Sequence, residues 1–225
     1  MKLQESSVYN PKQVQELKKL VSRGEGSSLE FKRKASYPEK VIREMIAFAN
    51  TKGGTLLVGI SDDGDIPGLK YPEDESHVIL EALKRVRPGI LFTETLIALG
   101  DNRTVLSYEI PESKKKPHYI IGDNQTKESF VRVEDRSIQA SREVREIIKR
   151  KQRHKDIRFR YGDHEQILMK YLEANKTITL KEFIKESGLK RFYASNKLIL
   201  LVLANVLRVI PHEKGDLYTL AFGKF

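Results

Sequence analysis

Three carboxylates and a lysine stand close together early in the chain. Glu25, Glu30 and Lys32 share the run Glu25-Gly26-Ser27-Ser28-Leu29-Glu30-Phe31-Lys32, and Asp62 follows an apolar stretch at 55–60. Oxygen ligands suit hard cations such as Mg²⁺ or Mn²⁺, and a cation held by carboxylates activates water and offsets developing charge in phosphodiester hydrolysis. Glu25 from a loop, Glu30 from a strand and Asp62 from the end of a second strand converge only if the two strands are neighbours. The residues alone leave that open, because acids beside turns are as readily solvated.

Other chemistries find less support. There is no cysteine, which excludes disulfides, thiolate zinc sites and cysteine nucleophiles. His77, His118, His154, His164 and His212 are scattered without metal-binding spacing. There is no G-x-S-x-G elbow. No G-x-x-x-x-G-K-[ST] element exists, and Gly53-Gly54 follow a helical segment instead of opening one, so ATP binding is not expected.

The elements that must position the carboxylates can be read from caps and periods. Asn10-Pro11 opens a helix on which Val14, Leu17, Leu20 and Val21 keep a helical period, and Gly24 and Gly26 end it. Leu29 and Phe31 alternate with Glu30 and Lys32 as in a half-buried strand. Pro38 opens a second helix with Val41, Ile42, Met45, Ile46 and Ala49 in one stripe, and Gly53-Gly54 is expected to stop it. Residues 55–60 form a strand ended by the turn Asp62-Asp63-Gly64. A helix is expected over about 73–87, then strands at 92–99, 104–110, 118–121 and 129–133. Gly122-Asp123-Asn124-Gln125 joins the last two as a hairpin. A basic helix begins near Ser141.

The chain carries 41 basic and 31 acidic residues, a net charge of +10, which favours polyanionic partners such as DNA or structured RNA. Between Arg142 and Arg160 there are nine Lys/Arg and three Asp/Glu, including Lys149, Arg150 and Lys151; Lys114, Lys115 and Lys116 form a second cluster. The longest apolar run, Leu198-Ile199-Leu200-Leu201-Val202-Leu203-Ala204, is too short to span a bilayer. With no apolar leader and no cysteine, a cytoplasmic protein without membrane association is expected.

After about residue 160 the pattern changes. Short helices around 167–172, 180–184 and 190–205 precede two strands flanking Glu213-Lys214-Gly215-Asp216, the order of a winged helix-turn-helix. The third helix is the candidate reader of a major groove, with Arg191 and Asn196 for bases and Lys190 and Lys197 for phosphates. Two features weigh against this: the second half of that helix is apolar nearly all round, and the wing tip is net acidic. A winged helix that binds protein, making the chain an adaptor, is the alternative.

The segments around Glu25–Lys32 and Ile46-Ala47-Phe48-Ala49-Asn50-Thr51-Lys52-Gly53-Gly54 through Asp62 resemble the E-x(4)-EFK … AFANT-x-GG-x-L-x-x-G-[IV]-x-D signature of the Schlafen/AlbA-type domain family. The resemblance covers roughly residues 12–148. In Schlafen-type ribonucleases the two glutamates and the aspartate form the triad that cuts tRNA and rRNA, which implies Glu25, Glu30 and Asp62 here as catalytic and metal-binding residues. Asp63 is a substitute for Asp62, and Lys32 a phosphate contact on the strand face of Glu30. Asn50 either orients a carboxylate or simply ends its helix. Many single-copy bacterial members resemble transcriptional regulators instead. Active eukaryotic members pair two copies, so one copy implies a homodimer.

The expectation is therefore an α+β chain. A mixed β-sheet with packed helices, of Schlafen/AlbA type, occupies 1–150; a basic linker follows at 151–161, then a winged helix-turn-helix at 162–225. The leading function is nucleic-acid binding as a dimeric DNA-binding transcriptional regulator. The alternative is a metal-dependent endoribonuclease acting on tRNA or rRNA with Mg²⁺ or Mn²⁺.

Overall fold

A computed structural model describes residues 3–4, 8–122, 125–152 and 159–222. Contacts divide the chain into two compact units, 1–137 and 138–225. The division falls before the basic segment expected to link the domains. The reason is that Ile147, on the helix α4 (Arg142–Lys151), belongs to the second core.

In the first unit a five-stranded mixed sheet runs in the order β1 (Leu3–Gln4), β5 (Thr93–Gly100), β6 (Arg103–Pro111), β3 (Gly53–Val58), β2 (Leu29–Lys32). The pair β2/β3 is parallel, with Glu30 opposite Leu56 and Lys32 opposite Val58, whereas β3/β6 and β5/β6 are antiparallel. The second half of β3, Leu56-Leu57-Val58, is apolar because both faces are covered there. Leu56 and Val58 face a core with helix α2 (Pro38–Asn50), whereas Leu57 faces a second core with helix α1 (Pro11–Val21). Each such fully buried aliphatic side chain contributes about 1.5–3 kcal/mol. Asn10 caps α1 through Lys12 N and Gln13 N at 3.0 and 3.4 Å.

The glycine pair after α2 does more than end the helix. Gly53 has φ +80° and begins β3, and a Cβ there would lie 2.6 Å from the Ile110 carbonyl. A Cβ on Gly54 would strike the Phe48 ring at 2.4 Å, so strand and helix approach closely only because Gly54 has no side chain. Helix α3 (Pro72–Leu83) ends earlier than its apolar pattern suggested, and β4 (Val86–Arg87) follows.

The expected hairpin between 118–121 and 129–133 is replaced by another pairing. Strand β7 (Tyr119–Ile121) pairs with β4 and with β8 (Lys127–Glu128), placing Ile120 opposite Glu128. Strand β9 (Phe130–Val133) joins β10 (Arg136–Gln139) and packs on α2. Of the expected connecting turn, Asp123 and Asn124 lie outside the described residues, as do 153–158 of the basic segment.

The second unit contains α4, α5 (Asp163–Asn175), β11 (Ile178–Thr179), α6 (Leu180–Ser187), α7 (Arg191–Leu203), β12 (Leu207–Ile210) and β13 (Leu217–Leu220). Its three strands order as β11-β13-β12, antiparallel. Thr179 and Glu182 form a capping box at α6, and Gly188, left-handed at φ +68°, ends it. The apolar half of α7 is covered within this unit: Leu198, Ile199, Leu201 and Val202 are buried with Leu168, Leu172, Phe183 and Tyr218. Among the described residues no helix is long and apolar enough to cross a membrane.

Candidate functional site

β2 is an edge strand, and its outward amides need partners from elsewhere. Glu25 supplies one, accepting from Phe31 N at 2.8 Å. On the α2 side of the strand, Glu30 is 6% exposed and pairs with the Lys32 ammonium and with Arg132 Nη2 at 2.7 Å. Lys32 also donates to the Phe31 carbonyl at 2.9 Å, which draws it toward the protein and leaves it only partly exposed.

Arg132, from β9, organises this region. Its side chain is 1% exposed and its guanidinium donates to Glu44 at 2.6 Å, Gly26 O at 2.8 and 3.0 Å, and Ser137 and Leu29 O at 3.3 Å. It also lies over the Phe48 ring, 5.1 Å from the centroid. Thus one planar cation joins the Glu25–Leu29 turn, α2 and β9, a geometry suited to a delocalised fork with several donors. Asn50 has a comparable role at the end of α2. It donates to the His118 and Phe130 carbonyls at 3.1 and 2.9 Å and to Ser129 at 3.1 Å, and it accepts from His118 N at 2.7 Å. Asn50 therefore fastens backbone segments and orients no carboxylate.

Asp62 is exposed in the turn after β3, and Asp63 is used by that turn, accepting from Asp65 N at 3.3 Å. The acids nevertheless share a field. Burial raises the Glu25 carboxyl most, with Glu30 and Asp62 adding to the rise and the Phe31 amide and Lys32 opposing it. Burial likewise raises Glu44, opposed by the Ser137 hydroxyl, with Glu30 raising it further against Arg132 and Lys32. Among the described residues, no three His, Cys, Asp or Glu side chains are grouped to hold a metal ion. As arranged, Glu30 is paired with two cations, Glu25 accepts from an amide and Asp62 is exposed.

The basic residues expected to contact nucleic acid divide into tethered and exposed ones. Lys116 pairs with Glu112 and donates to Thr51 O at 3.1 Å, whereas Lys114 and Lys115 are exposed. Arg150 lies 3.4 Å from Glu146, whereas Lys149 and Lys151 are exposed. All three basic residues lie in the last turn of α4, where the helix dipole favours cations. Lys197 is committed to the buried Glu165, which removes it as a phosphate contact. Lys190 and Arg191 are exposed at the start of α7, beside Phe192 and Tyr193, which are 56% and 58% exposed; Asn196 is half-buried.

The tip between β12 and β13 is less acidic than its sequence suggests, because Asp216 is buried and accepts from Ser141, the cap of α4. Burial raises this carboxyl most, opposed by Ser141 and the His212 backbone; Glu143 adds to the rise and the His212 side chain opposes it. A raised carboxyl keeps its proton to higher pH in the folded than in the unfolded chain. Its stabilisation is therefore present below the unfolded value, about 4, and is lost as pH climbs toward the folded value. Asp216→Asn should flatten the fall in urea midpoint as pH rises above about 4. Circular dichroism serves as the probe, since the chain has no tryptophan. A steeper fall in the variant would contradict this account.

The family profile described as Schlafen, AlbA_2 matches residues 25–141, from Glu25 to the cap of α4. A comparison with curated proteins returns no match. Among solved structures, the DIP2311 protein from Corynebacterium diphtheriae is similar at a TM-score of 0.44 and 18% identity, covering 92% of this chain. This chain spans 38% of that one.

Proposed function

This chain belongs to the Schlafen, AlbA_2 family, which is consistent with nucleic-acid binding, and on that premise we propose that it is a DNA-binding transcriptional regulator. In this reading the second unit is a winged helix, α7 enters the major groove, and two copies of the chain read a two-fold site. The observation that carries it is the exposed start of α7. Lys190 and Arg191 make no ion pair among the described residues, whereas Lys197, nearly two turns on, is neutralised. The burial of Asp216 supports it too, since the tip then presents Glu213 and Lys214, which balance.

A duplex titration of the full chain over a range of salt tests the proposal. The affinity should fall steeply with salt, with a log–log slope of about −0.9 per phosphate neutralised. The double variant Lys190→Ala/Arg191→Ala should weaken binding by about tenfold or more and flatten the slope by roughly one to two. Binding that ignores both salt and the variant would remove the regulator reading in favour of an adaptor that binds protein.

The nuclease reading draws on the shared field of Glu25, Glu30 and Asp62. Incubation with tRNA and Mn²⁺ or Mg²⁺ addresses it. Asp62→Asn and Glu25→Gln are the informative variants, because both residues are exposed, whereas changing Glu30 would strand Arg132. Cleavage abolished by both would put the endoribonuclease first.

A further inference from the structure

The second unit holds a cavity of about 680 Å³ whose walls come from the start of α4, the first turns of α6 and α7, and the entry to β13. Lys181, Lys185, Arg191 and Lys214 line it, and Glu182 stands among them, its carboxylate engaged by the Thr179 amide and hydroxyl. The four cations are all exposed and none is in an ion pair among the described residues. They differ in this from Lys116 and Lys197, whose charges are met by glutamates. Unpaired like charges around one concavity repel one another, and an anion relieves that repulsion. Phosphate suits the set: the arginine fork matches two phosphate oxygens, and the lysines add point charges.

The inner wall is different. Tyr218 is 1% exposed, and its hydroxyl is buried without a hydrogen-bond partner. It shares this wall with Asp216 and Glu143, whose charges both act on the phenol. A buried hydroxyl lacking a partner is a standing cost that a ligand oxygen removes. The neighbouring carboxylates would repel a second anion but accept hydrogen bonds from hydroxyl groups. We propose that this cavity binds a small phosphate ester carrying free hydroxyls, a sugar phosphate or nucleotide, with phosphate at the cationic mouth and hydroxyls against Tyr218 and Asp216. The volume suits such a ligand. The same chemistry is offered by the 5′-phosphorylated end of a nucleic-acid strand. Arg191 is shared with the proposed reading end of α7, so the test variants are placed at Lys181, Lys185 and Tyr218, which that reading does not use.

Calorimetric titration of the full chain with ribose 5-phosphate, ribose, inorganic phosphate and a short 5′-phosphorylated oligonucleotide tests the proposal. Ribose 5-phosphate should bind, ribose should not, and Lys181→Ala/Lys185→Ala should raise Kd by about tenfold or more. Tyr218→Phe, which keeps the ring and removes only the unpartnered oxygen, should raise it by about threefold. Binding of the oligonucleotide alone, with the same dependence on these residues, would uphold the chemistry and assign the strand end as its source. No binding by any phosphate, or binding indifferent to these substitutions, would overturn the proposal. Inorganic phosphate binding as tightly as the ester, unaffected by Tyr218→Phe, would overturn its hydroxyl half.

Discussion

Arg132→Ala is expected to cost the first unit about 3–5 kcal/mol, a large share of the about 5–15 kcal/mol that holds an ordinary domain folded. Two carboxylates, Glu30 and Glu44, would lose their buried counter-ion, and the carbonyls of Gly26 and Leu29 their donor. Lysine should rescue little, because an ammonium on a flexible stem cannot reach acceptors spread around a plane. A combined Arg132→Met, Glu30→Gln, Glu44→Gln variant should recover part of the loss, since it leaves no fully buried charge uncompensated and only the partly exposed Lys32 without its partner. Melting followed by circular dichroism distinguishes these cases. An alanine variant within about 1 kcal/mol of the parent would mean that the guanidinium is not what joins turn, helix and strand.

Asn50→Ala should be nearly as damaging, at about 3 kcal/mol or more, because several buried backbone groups lose their partner at once. The amide both donates to the His118 and Phe130 carbonyls and accepts from His118 N. Aspartate keeps the acceptor but loses the donors, and it adds a charge to a buried position, so Asn50→Asp should do no better. Hydrogen exchange at His118 and Phe130 provides a local readout. Unchanged protection there in Asn50→Ala would show that the strands are held by other contacts.

Local chemistry made much of this architecture legible. Asn10-Pro11 and the stripe on 41–49 gave α1 and α2 their starts and faces, since caps and helical periods are written within a few residues. The α+β character followed from the same patterns, whereas the pairing of the Glu30 strand with the strand at 53–58 came only from the structure. The partners of Glu30 did not. Arg132 lies 102 residues from Glu30 and 88 from Glu44, and no period links such positions. Its only local signal was a charged residue within the apolar strand Phe130–Val133, which a solvated face explains equally well. The hairpin at β7 failed for a related reason: a turn signal at 122–125 fixes a reversal, but the returning strand turned out to be β8, ahead of β9. At the basic positions, the Glu112–Lys116 pair forms outside any helix and the Glu165–Lys197 pair depends on tertiary packing, so neither was signalled by a period.

The engagement of Glu25 with the Phe31 amide also bears on how copies of this chain can associate. Lengthening the five-stranded sheet across β2 would require an incoming backbone to displace that carboxylate and to tolerate its charge. A two-fold assembly built by sheet continuation is therefore disfavoured on this side, and a pairing of protomers has to use another surface.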